Sequence, residues 1–161
     1  MNRNFHYRII KARVAETIIK ELFLVCGYNV FEYGMERSLP TITGRLNNDN
    51  SETAIQIRKM PDFVIQAPPP GNELFYVEVK YRKNGQFPSI SDDIKNYPYT
   101  NAWFIVVSPK DIRCISYQQI IQGTKINSEN CLLENSEKFN LPNEVVHQFQ
   151  KYAEQFFEGV R

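Results

Sequence analysis

The sequence has no apolar run approaching the roughly eighteen residues that a membrane-spanning helix needs, and Met1 to Arg8 lack the apolar stretch of a secretory signal. The expected setting is a soluble one, without membrane contact, and the cytoplasm is the default compartment. Cysteine is scarce. Cys26, Cys114 and Cys131 are odd in number, widely spaced and free of any Cys-x-x-Cys pair, which argues against both a disulfide framework and a zinc site and leaves reduced, mostly buried thiols. An excess of charge of one sign is missing too: 19 Lys and Arg nearly cancel 18 Asp and Glu, for a net charge of +1. That excludes a globally basic chain held to nucleic acid by charge alone, and leaves room for a local basic surface. There is no glycine-rich phosphate loop, serine-nucleophile elbow or zinc motif, and His6 and His147 have no partners at metal-ligand spacing.

What is present suits a folded enzyme-sized unit. At 161 residues, 42% hydrophobic and 13% aromatic, the chain is long enough to bury a continuous core, and a single domain over residues 1–161 is expected. Arg8 to Cys26 carries apolar residues at Ile10, Val14, Ile18, Leu22 and Val25, the spacing of a helix with one broad buried face, stopped by Gly27. Tyr28 to Glu36 reads as a strand, and Ser38 to Glu52, rich in Asn, Asp, Gly and Thr, as a loop leading to a short helix over Glu52 to Met60. Pro61 to Gln66 and Leu74 to Arg82 read as two strands. Their connector, Ala-Pro-Pro-Pro-Gly-Asn-Glu, forbids ladder bonds and makes them antiparallel neighbours across a hairpin loop.

Beyond a Gly- and Pro-containing loop, Ser89 to Tyr97 reads as a short helix, Ala102 to Ser108 as a buried strand, Asp111 to Ser116 as another, and Tyr117 to Gly123 as a helical turn. Pro142 to Glu158 is an amphipathic closing helix with Val145, Phe149, Tyr152 and Phe156 on one face. The economical architecture is α/β in the broad sense: an α+β mixed sheet flanked by helices.

In Leu74 to Arg82 the two-residue period sends Tyr76, Glu78 and Lys80 to one face and Phe75, Val77, Val79 and Tyr81 to the other. Asp62, at the start of the partner strand, approaches Glu78 across the hairpin. Two carboxylates meeting there make an oxygen-rich, incompletely coordinated centre of the kind Mg²⁺ prefers, because that ion keeps several waters and accepts phosphate oxygens.

Pro61-Asp62 followed by Glu78-Val79-Lys80 resembles the motif that names the PD-(D/E)XK nuclease superfamily, and the run of helix, three strands, helix and strand from Arg8 to Ser108 is similar to its restriction endonuclease-like core. The resemblance implies a metal-dependent nuclease that hydrolyses phosphodiester bonds, with DNA as its expected partner. In that reading Asp62 and Glu78 are Mg²⁺ ligands, with Mn²⁺ as a substitute, and the Val79 carbonyl is a further contact. Glu16, on the first helix, would help hold the metal or its waters. Lys80 would orient the attacking water. It is better suited to positioning than to general-base work, because its ordinary pKa of about 10.4 is far from neutral. Arg82 and Lys83 would meet the nucleic-acid phosphates. One site per chain cuts one strand, so a homodimer is the form that would cut two.

Plainer readings stand beside these. Glu78 and Lys80 also fit a solvated ion pair on an exposed strand face, Asp62 a turn cap, and Glu16 an i,i+4 pair with Lys20. The helix after Glu-x-Lys does not reproduce the glutamine and tyrosine motif of some DNA-repair branches. A scaffold retained as a binding module without turnover, or an unrelated α/β domain carrying the letters by chance, would fit the same composition.

Overall fold

The computed structural model of the chain describes residues 3–34, 46, 48–87, 92–126 and 129–158. In chain order the elements are α1 (Arg3–Val25), β1 (Asn29–Glu32), α2 (Glu52–Arg58), β2 (Phe63–Gln66), β3 (Leu74–Tyr81), α3 (Asp92–Lys95), β4 (Ala102–Val107), β5 (Ile112–Ser116), α4 (Tyr117–Ile121) and α5 (Asn143–Glu158), with a 3-10 turn at Leu133–Asn135. Most of the loop expected over Ser38 to Glu52, the end of the first predicted strand at Met35 and Glu36, and the start of the helix expected at Ser89 lie outside the described residues.

Local signals place several boundaries. α1 ends in the arrangement that Gly27 permits at φ +82°: Gly27 N–H donates to the Leu24 carbonyl and Tyr28 N–H to that of Phe23, both at 3.0 Å. The rings of Phe23 and Tyr28 close over this turn, 5.1 Å apart, the hydrophobic contact that completes such a C-terminal cap. α2 starts at Ser51, whose hydroxyl accepts from Ala54 N–H, and α4 starts in a capping box between Ser116 and Gln119.

The strands form one mixed sheet in the order β1-β2-β3-β4-β5. β1, β2 and β3 pair antiparallel, β3 and β4 pair parallel, and β4 and β5 pair antiparallel. This is the mixed α+β architecture expected from the sequence. The β2–β3 hairpin is as expected, and the parallel step is the crossover that contains α3.

Helices cover both faces. Ala15, Ile18, Ile19, Leu22 and Phe23 of α1, with Val146, Phe149, Ala153 and Phe157 of α5, pack against Phe63, Ile65, Phe75, Val77, Val79, Ile105 and Val107. On the other face a smaller cluster joins Ile94, Tyr97, Ala102, Phe104, Ile115, Tyr117 and Ile120. The buried stripes on both long helices differ from the expected ones. Ile10 and Val25 of α1 are 58% and 64% exposed, and Tyr152 and Phe156 of α5 are 38% and 57% exposed. A step of four residues turns a helix 40° past a full circle, so a stripe built from such steps walks around the cylinder. The face of α1 that meets the sheet follows steps of three and four through Ala15, Ile18 and Leu22, whereas α5 buries Val146, Ala153 and Phe157 in place of their neighbours Val145, Tyr152 and Phe156. Cys114 and Cys131 are buried free thiols and Cys26 is half-buried, as expected.

A buried cation fastens the loop after β3. Arg113, 9% exposed, donates from Nη1 to the Gly85 carbonyl and from Nη2 to Asp111 Oδ2, both at 2.7 Å. Gly85 has φ +66°, and a Cβ there would lie 2.9 Å from the guanidinium carbon of Arg113, so the position needs glycine for its backbone and for its space.

Candidate active site

β3 divides as the period of two requires. Phe75, Val77 and Val79 are buried in the α1 and α5 core, and Tyr76, Glu78 and Lys80 are half-buried on the opposite face. The β2–β3 ladder pairs Phe63 with Val77, so one step further Asp62 stands opposite Glu78. There the ladder gives way to a side chain: Asp62 Oδ2 accepts the Val79 N–H at 2.7 Å. Asp62 is fixed from its own backbone too, since its carbonyl accepts N–H groups from Tyr33 at 2.9 Å and Gly34 at 3.2 Å. Asp62 is thus tied across to β3 and held beside Glu78.

Glu78 is the more unusual of the two. Its side chain is 13% exposed; Oε1 accepts from Lys80 Nζ in an ion pair, while Oε2 is buried with no hydrogen-bond partner among the described residues. Burial pushes the Glu78 pKa up to about 7, and the negative charge of Asp62 adds to that, against the opposing pull of Lys80. The Lys80 ammonium is lowered by its own desolvation, but the charge and hydrogen bond of Glu78, with Asp62 behind them, more than offset it, so its net shift is upward. Lys80 is thus held as a cation and not as a neutral amine.

These groups open into a pocket of about 410 Å³ lined by Arg58, Lys59, Met60, Glu78, Lys80, Arg82, Phe87, Ile94, Tyr97 and Phe104. Four cations and one carboxylate face the same space, which is the local basic surface that a near-neutral chain leaves possible. Arg58 is anchored by the carbonyls of Leu46 and Asp49, and Lys59 reaches the Asn96 carbonyl at 3.4 Å. Arg82 leans back on the Tyr81 carbonyl at 2.8 Å. Lys83 is exposed and does not line the pocket.

Glu16 is placed differently. It is half-buried on α1 next to Ala15, on the helix whose packing residues meet the sheet face opposite Glu78. Among the described residues no three His, Cys, Asp or Glu side chains converge to hold an ion, so Glu16 is not gathered with Asp62 and Glu78. Its expected helix partner, Lys20, reaches Glu32 on β1 at 2.8 Å.

Asp62 and Glu78 are the residues that could hold a hard divalent cation bringing its own waters. They offer two carboxylates from adjacent strands, one of them with an oxygen that is buried and unpartnered, and leave the other positions to water and substrate oxygen. Sequence reasoning missed Arg58 and Lys59 beside this pocket; Tyr97, with Tyr99 and Trp103, reads from the sequence as a base-stacking or packing residue, and Tyr97 is packed among rings. The basic pair directly before Met60-Pro61-Asp62 is the signal for them. No protein-family model, curated protein or solved structure matches this chain.

Proposed function

We propose that the chain is a divalent-cation-dependent nuclease of the PD-(D/E)XK type, hydrolysing phosphodiester bonds in nucleic acid. DNA is the first substrate to test, and Mg²⁺, or Mn²⁺ in its place, is the cation. The observation that carries this reading is the buried Oε2 of Glu78, without a partner among the described residues, beside Asp62 and Lys80 in a pocket also lined by Arg58, Lys59 and Arg82. Buried carboxylate oxygens are rarely left without a partner, because stripping their water without replacement is destabilising.

Asp62 and Glu78 would hold the cation, which when bound supplies an acidified water and neutralises charge developing on the phosphate. Lys80, kept protonated by its carboxylate neighbours, orients that water and stabilises the anionic transition state. The rim cations take the phosphate oxygens and set the strand in place without reading its sequence. Glu78 must shed its proton to serve, and the cation competes directly with that proton.

A second reading, a nuclease-fold module that binds nucleic acid or protein without turnover, is favoured by the lack of a third ligating side chain beside Asp62 and Glu78 among the described residues. Cleavage of single-stranded, duplex and branched DNA, and of RNA, with Mg²⁺ or Mn²⁺ separates the two when wild type is run beside Asp62→Ala and Lys80→Ala. Metal-dependent cutting lost in both variants is expected. Cutting that survives both substitutions would overturn the mechanism, and cation binding without cutting would favour the second reading. Sizing in solution tests the homodimer that cutting both strands of a duplex calls for.

A further inference from the structure

Two buried polar atoms border the same pocket and find no partner among the described residues: Glu78 Oε2 and the Tyr97 hydroxyl. A phenol and a carboxylate facing one cavity would satisfy one another if they met, and these do not. Tyr97 cannot easily swing to a partner. It is 8% exposed, and its ring is wedged among Tyr99, Phe104 and Tyr117 at centroid distances of 5.7, 5.3 and 6.0 Å. Its own N–H is tied to the Ile94 carbonyl at 3.1 Å. The hydroxyl is therefore held without a partner among the described residues, on a side chain that lines the pocket.

Resting on the nuclease reading above, we propose that Tyr97 is a phosphate-positioning residue whose hydroxyl donates a hydrogen bond to a non-bridging oxygen of the bound phosphodiester. The chemistry of the surroundings selects that acceptor. Burial, with the negative charges of Glu78 and Asp62 behind it, pushes the phenol pKa upward, so the group stays an O–H donor. The cations of Arg58, Lys59 and Arg82 concentrate anions at the mouth of the same pocket. A hydrogen bond to an anionic oxygen is roughly twice as strong as a neutral one. The orphaned hydroxyl costs folding stability in the free protein, and substrate relieves that cost on binding.

Tyr97→Phe tests this, because it keeps the ring and removes the orphan. The variant is expected to melt about 2–4 °C higher while its kcat/KM for DNA falls by about 10–100-fold. Tyr99→Phe is the matched control: the Tyr99 hydroxyl donates to the Gln56 carbonyl at 3.2 Å, so its removal lowers the melting temperature. Tyr97→Phe with wild-type kcat/KM, or with a lowered melting temperature accounting for lost activity, overturns the proposal. Inorganic phosphate provides an arm without turnover, its binding followed by calorimetry at constant ionic strength, with weaker binding expected in Tyr97→Phe. If wild type cleaves no nucleic acid with any metal, the nuclease reading fails and this arm decides on Tyr97 alone. Weaker phosphate binding in the variant then supports the assignment, and equal binding overturns it.

Discussion

On the α1 and α5 side of the sheet, Phe63, Ile65 and Val77 are fully buried among other apolar side chains and leave no polar group to satisfy. On the other side, β3 holds Glu78, one oxygen of which has no partner among the described residues, with Lys80 paired to it, and the segment before β4 brings in Tyr97, whose hydroxyl likewise finds none among them. The unpartnered oxygen of Glu78 and the Tyr97 hydroxyl are destabilising where they stand unless something further binds. One face supplies the stability and the other draws on it. The contrast is sharpest within β3, where a single residue's step separates Val77 and Val79 from Glu78.

The largest effect should come from the apolar face. Phe63→Ala, at a side chain with no exposure, is expected to cost about 3–5 kcal/mol, read as a lowered midpoint in urea. A loss of under about 1 kcal/mol would break the division of labour. Next comes Lys80→Ala, expected to lower metal-dependent cleavage by about 10²–10³-fold in single-turnover assays. Gly85→Ala follows, at about 1–3 kcal/mol, because alanine must take φ +66° and displace the Arg113 guanidinium. Urea unfolding measures it.

A further effect is a pH dependence with a definite sign. The folded-state pKa of Glu78 lies at about 7, above the ordinary 4.5, so the folded chain holds a proton that the unfolded chain releases. Glu78's contribution to stability is complete below about pH 4.5 and is lost as pH rises through about 7. On the proposed reading, Mg²⁺ binding is expected to run the other way, strengthening by up to about tenfold per pH unit below 7 and levelling above it. Thermal melts from pH 5 to 8, with and without Mg²⁺, should show the two trends crossing.

Much of the fold was legible because its signals are local. The period of two in β3, the proline-rich hairpin and Gly27 depend on near neighbours, and the sheet faces, the β2–β3 pairing and the end of α1 followed from them. The buried stripes of α1 and α5 were misjudged where two overlapping stripes competed. In α5 the decision rests on Ala153, fully buried, whose small side chain gives a hydrophobic count little weight. Within the site, Asp62 and Glu78 were legible because one hairpin joins them. Tyr97 lies within the parallel β3–β4 crossover and meets Glu78 only when that connection folds over the sheet, whereas Arg58 and Lys59 stand directly before Met60-Pro61-Asp62 and were legible there as a basic pair.

The Arg113 clamp has a bearing on what the smallest working piece of this protein would be. The motif letters and the strands that bear them end by Ser108, so a fragment stopping there would keep Asp62, Glu78 and Lys80 intact. It would lack Arg113 and Asp111, which moor Gly85 and with it the stretch from Arg82 to Phe87 that forms one wall of the pocket. The residues after the motif are thus part of the site's masonry, and trimming the protein to its recognisable core would keep the chemistry's letters while removing the wall behind them.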